Sequence, residues 1–118
     1  MSSREFGEHE IESIIDDIAN MINRFVRAGR YTFADKLANA TSKEIIEMTL
    51  YEALRISRST LESGGTLDEN VKPYVASEDS IKKLLAILDE DLEKGIDIVR
   101  KIAIRALTFP SKKEKGGE

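Results

Sequence analysis

Carboxylates recur along this chain at helical spacing. Glu44 pairs with Glu47 and Glu90 with Glu93, while Glu8, Glu12 and Asp16, and again Asp89, Glu93 and Asp97, follow at intervals of four. Residues three or four apart share one face of a helix. On facing helices such pairs hold metal ions, and with magnesium they would support nucleotide hydrolysis of the all-α pyrophosphatase kind. That chemistry needs carboxylates aimed into the bundle, whereas these fall on the polar side of each apolar stripe, where a solvated acidic face accounts for them. The remaining catalytic inventory is thin. There is no cysteine, which removes thiol nucleophiles, thiolate metal sites and disulfides. The single histidine, His9, sits among glutamates at a helix entry, and Gly64-Gly65 lacks the lysine and hydroxyl partners of a phosphate loop. No catalytic residue, metal ligand or cofactor is assigned.

The basic residues make the stronger pattern. Arg24, Arg27 and Arg30 stand three apart and lead into Tyr31, Phe33 and Lys36, and Arg55 and Arg58 repeat the spacing further on. Arginine suits bidentate phosphate contact and stacking better than lysine does. If the helices carrying the two groups pack side by side, they form one strip that follows a nucleic-acid backbone by charge, with strong salt dependence. A plainer reading competes. Acids gather near helix starts and bases (Arg24, Arg27; Arg55, Arg58; Arg100, Lys101, Arg105) near helix ends, as the helix dipole favours. It leaves out Arg30 and Lys36, which lie past the first helix. No helix-turn-helix or aromatic base-reading signature is present.

These residues are positioned by helices throughout. Ile11, Ile14, Ile15, Ile18, Met21, Ile22, Phe25 and Ala28 give an amphipathic helix over 9–28, which Gly29 stops. Thr32 is placed to cap a short second helix bearing Phe33, Ala34, Leu37 and Ala38. Thr41-Ser42-Lys43-Glu44 matches a capping box for a third over 42–62, with Ile45, Ile46, Leu50, Ala53, Leu54 and Leu61 inward, ended by Ser63-Gly64-Gly65. The stretch 66–77 holds Pro73 and reads as a loop. Ser77 is placed to cap an unbroken stripe from Ile81 through Leu84, Leu85, Leu88, Leu92, Ile96, Val99, Ile102, Ala103 and Ala106. Whether 78–107 is one helix or two is open, and Gly95 marks either a bend or a close backbone approach. Ile56, Ile87, Ile98 and Ile104 fall off the main stripes and signal a broad core face or a contact surface. The expectation is an all-α bundle of four to five helices with a long C-terminal helix, in a single domain over 1–110 with a disordered tail over 111–118.

Length and charge agree with that outline. At 118 residues the chain is sized for one domain. Charged residues make up 34%, and the net charge of −4 conceals blocks of −5 over 1–20, +3 over 21–60, −6 over 61–97 and +4 over 98–118. No apolar run approaches the ~20 residues of a membrane span, and the polar, acidic N-terminal stretch does not read as a targeting signal, so none is expected. The expected location is the cytoplasm.

One stretch resembles a known family. Tyr31, Phe33, Asp35, Lys36, Leu37, Ala38, Asn39 and Ala40, continuing through Lys43, Glu44, Tyr51, Ala53, Leu54 and Arg55, resemble the small α-helical subunit of archaeal type I-A CRISPR surveillance (Cascade) complexes. The likeness spans 18–61. It implies a non-enzymatic role in antiviral defence, with several copies lined up along the complex. They would contact the guide RNA–target DNA hybrid and the displaced strand through backbone-directed basic residues and support R-loop formation. Guide pairing supplies sequence specificity in such machines. The implied nucleic-acid contacts are Arg24, Arg27, Arg30, Lys36, Arg55 and Arg58. The implied partners are other subunits of the complex, copies of the chain itself and both nucleic acids, with no membrane. A helical protein–protein adaptor acting through the last helix, and the magnesium-dependent hydrolase, remain alternatives.

Overall fold

The stripe of isoleucines near the N-terminus coils into helix α1, Glu8–Arg27, and four more helices follow: α2 Thr32–Asn39, α3 Lys43–Glu62, α4 Glu78–Glu90 and α5 Leu92–Thr108. The computed structural model describes residues 7–62, 75 and 78–108, with only the backbone for residues 61 and 62. No strand occurs among the described residues, so the all-α expectation holds. The expected loop over 66–77, the Ser77 cap and the tail over 111–118 lie outside them, except that Val75 packs against the core.

Helix α5 is the hub. It packs against α1, α2 and α4, whereas α3 leans mainly on α2 and touches α4 and α1 only lightly. Ile14, Ile15, Ile18, Ile22 and Phe25 of α1 meet Val99, Ile102, Ala103 and Ala106 of α5 in one buried cluster, completed by Leu37, Ile46, Leu50, Leu54, Ile81 and Leu84. Ile87 and Ile98, off the sequence stripe, are also buried, which makes the core face broad there. Ile104 goes the other way and is 63% exposed.

The last apolar stripe breaks in two at Asp91. Its amide donates to Ile87 O at 2.8 Å, which closes α4. Its carbonyl accepts from Gly95 N at 2.9 Å, and its carboxylate accepts from Lys94 N at 3.2 Å, which opens α5. An aspartate at this position satisfies an otherwise unpaired amide of the first turn. Gly95 then permits the elbow. A Cβ there would lie 2.9 Å from Leu88 Cα, so the two helices fold back to backbone contact. Both readings of Gly95 hold. The break also shifts the helical phase, and Leu92, expected inward, is exposed.

Two caps differ from expectation. Thr32 does not cap α2, because it is the helix's first residue. Tyr31 precedes it in an αR conformation with no side-chain cap bond. The tight turn before it delivers the chain already helical, which leaves no extended residue to act as a cap. At α3 the capping residue is Ser42, one later than the Thr41 register, and its hydroxyl accepts from Ile45 N at 3.3 Å. Ile45, expected inward, is exposed, and of the two isoleucines only Ile46 enters the core.

Candidate nucleic-acid interface

Six basic residues were expected to meet a phosphate backbone, and the fold sorts them into three settings. The first is the turn between α1 and α2. Gly29 adopts φ +86°, its amide donates to Val26 O at 2.9 Å, and Arg30 N donates to Phe25 O at 2.8 Å. This is a Schellman closure, whose left-handed residue favours glycine. The hydrophobic contact that usually accompanies it is replaced by a cation–π contact, with the Arg30 guanidinium 5.9 Å from the centre of the Phe25 ring. Phe25 also meets Phe33 edge-on at 4.6 Å. Arg30 is thus exposed but held in place by the turn. Arg27 is exposed beside it, and Arg24, a turn earlier, is half-buried.

The second setting is the α2–α3 groove, about 310 Å³, where Lys36 lines the wall with Phe33, Met48, Thr49 and Glu52. Lys36 falls in the last turn of α2, so the helix dipole explains it after all. Among the described residues neither Arg30 nor Lys36 has a carboxylate within ion-pair distance.

The third is the outer face of α3. Arg55 forks onto Glu52 of its own helix, with Nη2 at 2.6 Å from one oxygen and Nε at 3.4 Å from the other. This hydrogen bond holds the Glu52 carboxyl below its ordinary range. Arg58 reaches Glu78 in the first turn of α4 at 3.0 Å. The two arginines line a groove of about 410 Å³ with Tyr51, Leu54 and Ser59. They sit one to two turns before the end of α3, not in its last turn, so the dipole does not account for them. Since α1 and α3 touch only lightly, the packing provides little of the seam that one continuous strip would need.

Other charges settle into the scaffold. Arg100 Nη1 donates to Leu37 O at 3.1 Å and Ala40 O at 2.8 Å, closing the C-terminus of α2 from another helix. Arg105 binds Glu12 at 3.0 Å and Asp16 at 2.6 Å, and these hydrogen bonds raise its pKa. Asn23 Nδ2, buried, donates to Ala106 O at 2.7 Å. Asp89 is taken by Lys43 at 2.9 Å and Asp97 by Lys101 at 3.3 Å. Among the described residues no three of the His, Asp and Glu side chains gather as metal ligands would. No helix among them is long and apolar enough to cross a membrane.

One apolar surface lies outside the core-facing stripes. Ile45, 42% exposed, and Met48, 67% exposed, form a second apolar stripe on the outer side of α3. Their spacing of three was the available signal, hidden because Ile45 adjoins the core residue Ile46.

Helices packed around α5, with cations displayed on the turn and on α3, define a small all-α protein with a partly basic outer surface. The model of a family described as CRISPR-associated protein (Cas_Csa5) matches residues 21–109. The chain belongs to that family and is therefore a subunit of a CRISPR-associated effector complex. The match takes in all six basic residues and runs on through α4 and α5, beyond the stretch that carried the resemblance. Neither the curated proteins nor the solved structures hold a match.

Proposed function

We propose that the protein is a non-catalytic small subunit of a type I-A CRISPR RNA-guided complex, acting in the cytoplasm of an archaeal cell. It contacts the phosphate backbones of the guide–target hybrid and the displaced DNA strand, and so supports the R-loop. The observation that carries this reading is the turn joining α1 to α2. Within the family-matched residues it displays Arg27 and Arg30 on a rigid closure, with Lys36 on the following helix. Arg55 and Arg58 add to it at small cost, because their ion pairs are exposed, contribute little to stability and yield readily to phosphate. An acidic protein with a few such contacts binds weakly alone. Copies aligned along one strand would gain through effective concentration.

The test is a reconstituted complex carrying Arg27→Glu, Arg30→Glu and Lys36→Glu together. R-loop formation should fall about tenfold or more and most steeply at higher salt, because neutralised phosphates set the salt slope. Unchanged R-loop formation rejects these residues as the interface.

The exposed Ile45 and Met48 of α3, with Ile104 of α5, favour a complementary role in holding neighbouring subunits or further copies. Substituting Met48 and Ile104 with serine should then release the protein from the complex while leaving its nucleic-acid binding intact.

A further inference from the structure

We infer that Tyr31 is a stacking platform that receives the face of an unpaired base at the α1–α2 turn. The inference rests on the backbone-contact reading above and adds one aromatic contact to it.

Four aromatic rings lie among the described residues, and three have structural employment. Phe25 is fully buried and meets Phe33 edge-on, and Tyr51 packs half-buried against the core. Tyr31 differs. It is 52% exposed, and among the described residues its side chain makes no hydrogen bond, ring contact or ion pair. A lone exposed tyrosine means little, since single apolar side chains on a surface are ordinary. Its placement is what carries weight.

The backbone fixes Tyr31 on both sides. Arg30 N is tied to Phe25 O before it, and Tyr31 O accepts from Asp35 N at 2.9 Å after it. The ring therefore stands on a built closure. Arg30, its immediate neighbour, is exposed and anchored over Phe25, and Arg27 is exposed one turn earlier. Asp35 is the one carboxylate between residues 24 and 41. A cationic rail beside an exposed ring is the arrangement that single-strand binders use, with charge tracking the phosphates and the ring receiving a base face. Duplex or hybrid bases are stacked on one another and offer no face. The partner of this ring is accordingly an unpaired base, read without sequence preference because every base presents a π-face.

The full-length chain is titrated at low ionic strength with a labelled oligothymidylate of about 15 nucleotides and with an abasic backbone of equal length. The wild type should prefer the thymidylate by about fivefold or more, the lower end of a single base–aromatic stack. Tyr31→Ala should erase that preference and leave abasic binding unchanged, and Tyr31→Phe should keep it. Equal affinity of the wild type for both oligonucleotides, or a preference that survives Tyr31→Ala, overturns the stacking role while backbone contact stands. Binding to neither oligonucleotide overturns the backbone reading and this inference with it.

Discussion

Helices α3 and α5 each carry two arginines, and the fold uses them in opposite ways. In α5, Arg100 and Arg105 reach other elements and meet fixed partners, the carbonyls that end α2 and the carboxylates of Glu12 and Asp16 on α1. In α3, Arg55 pairs with Glu52 one turn away and Arg58 with Glu78, all four side chains well exposed. The same contrast runs through their apolar residues. Ile102 of α5 is sealed against α1, and Met48 of α3 stands in water. One helix is the seam of the bundle and the other its display surface. Residue type does not separate them. What separates them is how many acceptors outside its own helix each guanidinium meets, two for Arg100 and for Arg105 against one for Arg58 and none for Arg55.

Truncating a core residue breaks this comparison most directly. Ile102→Ala should cost about 2–5 kcal/mol, the lost transfer energy plus the cavity left behind. Met48→Ala should stay within about 0.5 kcal/mol, since an exposed side chain loses little on truncation. Denaturant midpoints at unchanged slope would measure both. A large loss at Met48 would move the outer face of α3 into the folding core.

The arginines supply the next test. Arg100→Met removes two charge-assisted hydrogen bonds to carbonyls and should destabilise the fold by about 2 kcal/mol. Arg58→Met removes one exposed ion pair and should change stability by less than about 1 kcal/mol. It should instead weaken oligonucleotide binding and flatten its salt dependence. If Arg58→Met destabilises as much as Arg100→Met, the ion pair to α4 is structural and unavailable to phosphate.

Much of this was legible from periodicity. The stripes gave the helices and most of the core, because burying one face of each helix dictates their spacing. The break at Asp91 was hidden, since the apolar pattern runs through it and a capping aspartate among other acids does not stand out. The elbow was half-legible, because glycine in a helix signals either a bend or a close neighbour and here marks both. Gly95→Ala should therefore destabilise by about 1–2 kcal/mol, the overpacking against Leu88 exceeding a helix-propensity gain of about 1 kcal/mol. A more stable Gly95→Ala protein would show that the elbow can open. The site was legible as a list of cations and not as their sorting. Spacing shows that Arg100 and Arg55 each lie on a helix face, but only the tertiary neighbours decide which is consumed by carbonyls.

The smallest effect bears on availability itself. The Arg55 hydrogen bond lowers the Glu52 pKa, and the Arg55 charge adds to it, with a further contribution from Lys36. A carboxyl whose folded pKa is depressed contributes stability that is fully present above its unfolded value, near 4.5, and lost as pH falls through the lower folded value. Side-chain carbon NMR should therefore place the Glu52 midpoint below the unfolded value of 4.5, and Arg55→Ala should raise it. Adding single-stranded DNA offers the sharper version. A phosphate that captures Arg55 frees Glu52, so its midpoint should rise toward the ordinary range when the strand binds. A midpoint that ignores the strand but responds to Arg55→Ala would leave Arg55 with its own helix, and confine the nucleic-acid contact to the turn that holds Arg27 and Arg30.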